Sequence, residues 1–225
     1  MRKVLAVAVA LAVLTTFMTI SSPLYAQLDV LKKAREATQP TQPAEAKPAA
    51  KEDPAGPKYA GAGGATFSAP MTFKNKARNF SFTIPAGWEK MPAGDVNSER
   101  AEFGKPGTRC NFNFQYTRMP PSFPRAASVD ASLKSAKEDV TINKLLSAKR
   151  RDATGMDKGK KVQYAMGWEV VQSPTGGGGS HQRIIWQCYD RENYYFNFMV
   201  SCSPQEFNAN RAMLQQIIDS VKFGD

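Results

Sequence analysis

The chain has 225 residues, 42% of them apolar and 22% charged, a balance that suits one ordinary globular domain and excludes both a tiny disulfide knot and a disordered polyelectrolyte. Thirty Lys and Arg against twenty Asp and Glu leave a net charge of +10, which favours anionic partners or surfaces. One His and three Cys are too few nitrogen and sulfur ligands for a multi-histidine metal centre or a cysteine-rich zinc framework, so neither a metal nor a cofactor is expected.

Met1, Arg2 and Lys3 make a basic start, followed by the apolar stretch Val4 to Ile20 and a small-residue exit ending at Ala26. Residues 1–26 are read as a secretory signal peptide, with an uncleaved anchor as the alternative. No later apolar run is long enough to span a membrane. Residues 27–66 hold ten Ala, five Pro and four Gly, the composition of an extended or flexible tether. The folded domain is placed at 67–225, where twelve Phe, three Trp and five Tyr can anchor one core. A secreted or periplasmic location follows.

Along the domain, Met71–Lys74 and Asn79–Ile84 read as strands, because Phe80, Phe82 and Ile84 alternate with Ser81 and Thr83. Pro85-Ala86-Gly87-Trp88 ends the second. Arg100–Phe103 and Cys110–Tyr116 follow as strands. The latter sets Cys110, Phe112, Phe114 and Tyr116 on one face and Asn111, Asn113 and Gln115 on the other. Ser128 is expected to cap a helix with Val129, Leu133, Ala136 and Val140 as its apolar stripe. Lys144–Arg151 and Lys161–Val171 form the arms of a hairpin around Thr154–Gly159, and Gln182–Tyr189 with Tyr194–Cys202 form another around residues 190–193. Ser203-Pro204-Gln205-Glu206 has the pattern of a capping box, opening a helix that runs to about Val221 with Phe207, Leu214, Ile217, Ile218 and Val221 inward. Many strands interrupted by two helices imply an α+β fold, a mainly antiparallel sheet with helices packed on it.

Phe80-Ser81-Phe82-Thr83-Ile84-Pro85-Ala86-Gly87-Trp88 resembles the opening strand of PsbP-like domains, in which an aromatic strand runs into a Pro-x-Gly-Trp corner. The β-hairpin feeding a final helix that closes with Ile217-Ile218-Asp219-Ser220-Val221-Lys222-Phe223 is similar to the end of the same family. The resemblance implies an α/β/α sandwich, with the antiparallel sheet between helices, and a non-catalytic role in binding or assembling other proteins. It supplies no catalytic residue. The four glycines Gly176 to Gly179 depart from the family pattern, and no plastid transit segment precedes the domain.

Catalytic motifs are weak. Gly176–His181 joins two strands and precedes no helix, so it reads as a hairpin loop and not an anion cradle. Ser180 beside His181 lacks the strained nucleophile elbow of a hydrolase, which leaves a hydrolase as the third reading of function. Gly155–Lys161 lacks the spacing and the Ser or Thr of a phosphate loop. The stronger signal is charge: Lys144, Lys149, Arg150, Arg151, Lys158, Lys160 and Lys161 face only Asp152 and Asp157 within eighteen residues. This hairpin is a candidate contact for anionic lipid, cell-wall polymer or an acidic protein face, against the alternative of a sheet edge guarded by lysine. Nucleic acid is disfavoured, since export removes the chain from it and the aromatics belong to strand faces. Pro121–Pro124 is read as a structural loop. Cys110 and Cys202 share the apolar register of their strands and are the preferred disulfide, with Cys188–Cys202 as the alternative. The leading reading is an exported, non-enzymatic binding or assembly domain acting on an unidentified envelope or extracellular protein. The first alternative is a binder of anionic surfaces.

Overall fold

A computed structural model of the chain describes residues 65–138, 143–174 and 181–224. The segments expected to be a signal peptide and, nearly all of it, a tether lie outside them, as do Val140 and residues 175–180. The elements in chain order are β1 (Met71–Asn75), β2 (Phe80–Ile84), β3 (Glu89–Gly94), β4 (Arg100–Gly104), β5 (Asn111–Arg118), α1 (Arg125–Glu138), β6 (Asn143–Arg150), β7 (Ala153–Asp157), β8 (Lys160–Pro174), β9 (Gln182–Asp190), β10 (Tyr194–Cys202), α2 (Pro204–Asp219) and β11 (Lys222–Phe223). Eight strands build the large sheet, in the order β3-β4-β5-β10-β9-β8-β6 with β7 beside β8. A small sheet, β1-β2-β11, joins the start of the domain to its end. Every pairing is antiparallel. The α+β arrangement expected from the sequence is the one observed.

The period of two divides the large sheet into two differently used faces. Phe112 and Phe114 on β5, Trp186 on β9, and Phe196, Phe198 and Val200 on β10 face a core closed by β2 and by Phe207, Leu214, Ile217 and Ile218 of α2. Phe80 sits at its centre, 1% exposed, with the rings of Phe114, Phe196 and Phe198 set edge-on to it at 5.2–5.6 Å. Such edge-to-face packing adds to simple area burial. The opposite face carries a second core, in which Val129 of α1 meets Trp168, Val170, Ile185 and Tyr189. The sheet therefore lies between the two helices.

Cys110 and Cys202 form a disulfide across 92 residues, tying the entry of β5 to the end of β10. Cys188 remains a buried thiol; burial, and then the Asp190 carboxylate, raise its pKa well above the ordinary thiol value.

Four local expectations are corrected. Ser128 lies inside α1 and does not cap it: its N–H donates to the carbonyl of Pro124 at 2.9 Å, so the helix opens directly after a proline, which has no N–H to lose there. The capping box is not made. Ser203 occupies the N-cap, but its hydroxyl donates to the Glu206 carboxylate at 2.7 Å, and that carboxylate also accepts the backbone N–H of Arg109 at 3.1 Å. Glu206 is thus turned toward the loop that the disulfide fastens. The turn expected over Thr154–Gly159 is shorter, because β7 continues to Asp157 and only Lys158-Gly159 turn the chain, both at positive φ. That two-residue geometry matches the twist of a hairpin. Gly155 lies within the strand for a different reason: a Cβ there would stand 2.3 Å from the Phe223 carbonyl oxygen. Finally, β3 was not anticipated, since Pro92 and an irregular register between Lys90 and Gly94 blur its alternation.

Candidate functional site

The seven basic residues of the β6–β8 region divide into two groups. Arg151 is held inside the fold: one guanidinium nitrogen donates to both Glu169 and Asp219, the latter at 2.7 Å, and the other donates to the Ile218 carbonyl at 3.0 Å. The guanidinium also lies 4.5 Å from the Trp186 ring centroid, a cation–π contact. Lys149 reaches the other oxygen of Glu169 at 3.0 Å, and Arg150 bridges Asp130 and Asp152 at 2.9 Å each. Of the acids that match these charges only Asp152 lies within the segment; Asp130, Glu169 and Asp219 come from α1, β8 and α2, outside the reach of local counting. Lys144 is exposed on β6. Lys158, Lys160 and Lys161 are exposed around the β7–β8 turn, beside Met156 at 52% exposure. A compact lysine tip remains from the longer basic hairpin.

The buried acids have structural partners. Asp190, 1% exposed, accepts the backbone N–H groups of Glu192 and Tyr194 at 2.8 Å each and so closes the β9–β10 turn. Burial raises its pKa, opposed by those two hydrogen bonds. Tyr189 on the second core is pushed up to about 12, chiefly by burial. Trp88, Trp168 and Trp186 are all buried, and Phe123 packs on Tyr189 with ring centroids 5.0 Å apart, so the Pro121–Pro124 loop is anchored to the second core. His181 is half-buried; Ser180 and the four glycines lie outside the described residues.

The alternation read in Cys110–Tyr116 has a consequence beyond the core. The polar side of β5 joins rows across the sheet: Arg100 of β4, Gln115 of β5, Asn197 of β10 and Gln187 of β9 are successive cross-strand neighbours, and Glu102, Asn113 and Met199 form the next row. Helix α1 packs on β6 and β8 at one side of this face, and Gln115 and Arg100 are exposed. A pocket of about 190 Å³ opens there between Ala93, Arg100, Glu102, Asn113 and Gln115. Asn111 donates to Glu102 at 3.0 Å and accepts from Ser201 at 2.5 Å. The buried Asn197 Oδ1 accepts no hydrogen bond among the described residues. Amides present a donor and an acceptor side by side, so this face can recognise peptide groups or hydroxyls in several registers. Local sequence reading found the strand alternation but not the face, which needs the strand order β4-β5-β10-β9.

Among the described residues, no helix is long and apolar enough to cross a membrane. No protein-family model matches the chain, and no curated protein matches it. Among solved structures, the chain is similar to cyanobacterial PsbP from Synechocystis sp. PCC 6803, at 12% identity and a TM-score of 0.47, covering 72% of this chain and 96% of that one. It is also similar to LpqN of Mycobacterium tuberculosis, described as involved in cell envelope biogenesis, at 8% identity and a TM-score of 0.42, over 69% of this chain and 91% of that one. A third similar structure is the Saccharomyces cerevisiae Ran-binding protein Mog1p, at 6% identity and a TM-score of 0.40, over 70% of this chain and 97% of that one.

Proposed function

We propose that the chain is an exported, non-enzymatic binding or assembly domain whose partner is an envelope or extracellular protein, docked on the polar face of β4, β5 and β10. The observation that carries this reading is the continuous row Arg100–Gln115–Asn197–Gln187, next to a shallow pocket. A face whose exposed part is Arg100 and Gln115, with the half-buried Glu102, Asn113, Asn197 and Gln187 beside them, suits a protein contact of moderate polarity. Three acids have structural duties: Glu169 holds Arg151 and Lys149, Asp190 holds a turn, and Glu206 holds the Arg109 backbone. Export is supported by the basic-apolar start of the chain and by the Cys110–Cys202 disulfide, which suits an oxidising compartment.

The test is crosslinking in the native envelope. A partner captured by the wild-type chain and lost with Asn113→Arg/Gln115→Arg supports the reading. Capture that is unchanged by that pair of substitutions removes this face from the account.

A second reading rests on the lysine tip. Lys158 on the two-residue turn and Lys160 and Lys161 at the start of β8 lie near the exposed Met156 of β7, whose cross-strand partner is Lys161, an arrangement suited to an anionic lipid or cell-wall polymer surface. Replacing the three lysines with Gln should abolish low-salt binding to vesicles containing phosphatidylglycerol. Equal binding by the variant and the wild type eliminates the tip as a contact.

A further inference from the structure

The hairpin of β7 and β8 owes the outward setting of its β8 lysine to one extra residue. Ala153 pairs with Ala165 and Thr154 with Gln163, so Tyr164 is a bulge on β8, and a bulge re-aims the side chains beyond it. Met166, Trp168 and Val170 pack in the second core, yet Val162 and Tyr164 pack in the first. Lys161 and Gln163, which alternate with Val162 and Tyr164, are thereby turned out, and both are exposed. Met156 is the cross-strand partner of Lys161 and shares its side.

Strand β11 extends the same outer side. Gly155 has no Cβ to hold off the Phe223 carbonyl, and the Met156 N–H donates to the Gly224 carbonyl at 3.2 Å, so β11 runs beside β7. Phe223 is buried in the first core while Lys222, next to it, is exposed, which sets Lys222 on the outer side as well. Met156, 52% exposed, is thus carried on a strand flanked by Lys161 of β8 and Lys222 of β11, with Lys158 and Lys160 at the turn. Asp152, just before β7, is engaged by Arg150, Gln163 and the Gly167 N–H.

We infer that the outer side of β11, β7 and β8 docks on an anionic phospholipid bilayer, Met156 entering among the headgroups and Lys158, Lys160, Lys161 and Lys222 meeting their charge. The inference rests on the lysine-tip reading, commits it to lipid and adds a strand to it. Four ammonium groups around one protruding apolar side chain supply both parts of interfacial binding, charge attraction and apolar burial. The lysine stems can lie along the interface while their charged heads stay in water.

The test titrates the full chain and its variants, at low salt, with vesicles of phosphatidylcholine alone and of phosphatidylglycerol mixed with phosphatidylcholine. Any contribution from the apolar start of the chain is common to all variants. The expected result is tighter binding to the anionic vesicles, weakened about fivefold by Lys222→Gln and kept by Lys222→Arg. In Met156→Trp, those vesicles should move the added tryptophan emission, relative to the wild type, to shorter wavelength. If Lys158→Gln, Lys160→Gln and Lys161→Gln together abolish binding while Lys222→Gln binds like the wild type, the tip reading stands and this inference falls. Binding to isolated cell-wall polymer but not to the anionic vesicles has the same meaning. An unmoved Met156→Trp emission on bound vesicles also overturns the inference, and no preference for either the anionic vesicles or the polymer removes both readings.

Discussion

Replacing Arg151 with Ala separates a structural charge from a surface one. The Arg151 side chain is 17% exposed and that of its partner Glu169 is 3% exposed. Without the guanidinium, the Glu169 carboxylate keeps only Lys149 at 3.0 Å and the Gln215 amide at 3.3 Å. The Ile218 carbonyl and the Trp186 ring lose their contacts as well. Removing one member of a buried ion pair costs about 3–5 kcal/mol because the other charge remains desolvated. The surviving, well-hydrated Lys149 places Arg151→Ala near the lower end, about 3 kcal/mol. Urea unfolding at neutral pH with the disulfide intact measures it. Adding Glu169→Gln should recover about 2 kcal/mol of that loss, since a neutral amide is cheaper to leave unpaired than a carboxylate. A loss below about 1 kcal/mol for Arg151→Ala, in the range of exposed ion pairs, would refute the reasoning and return Arg151 to the surface set.

Three further outcomes follow from the same structure. Cys110→Ser should lose about 3–4 kcal/mol of stability to denaturant, because the crosslink closes a loop of 92 residues and the chain-entropy limit for such a loop is near 4.6 kcal/mol; an unreduced peptide map of the wild type should recover Cys110 joined to Cys202. Gly167→Ala should cost about 3 kcal/mol or prevent folding, since the new Cβ would stand 2.1 Å from the Gln187 carbonyl oxygen and 2.5 Å from Cys188 Cβ; an unchanged thermal midpoint would contradict that close approach. Asp190→Asn should flatten the pH dependence of stability. The folded-state pKa of Asp190 is raised by burial, so its contribution is fully favourable below the ordinary carboxylate pKa and is lost as pH rises through the folded value. At neutral pH the variant should match or exceed the wild type, because the Asn oxygen can still accept the Glu192 and Tyr194 amides; a large loss there would show that the charge itself is needed.

The sequence reveals the elements better than their partners. Strict alternation from Cys110 to Tyr116 and the stripe Phe207, Leu214, Ile217, Ile218 and Val221 locate a strand and a helix, because burial acts on a fixed period. The alternation of β5 and of β10 makes Cys110 and Cys202 the preferred pair over Cys188 and Cys202, and that is the disulfide formed. The capping box fails because Glu206 meets the Arg109 amide, 97 residues away in the chain. Local charge counting assigns +5 to the segment from Lys144 to Lys161, yet Glu169, Asp130 and Asp219 reach into it from three other elements. The bulge at Tyr164 is further from view still, since it is a one-residue shift between β7 and β8. Long-range pairing decides each of these, and no short window contains it.

The proposed docking face is tested most directly by a photo-crosslinking residue placed at Gln115, with the same residue at exposed Lys134 on the outer side of α1 as the control. In the native envelope, the account predicts one dominant protein adduct from position 115 and none from position 134. Equal adducts from both positions, or an adduct from 134 alone, would contradict it.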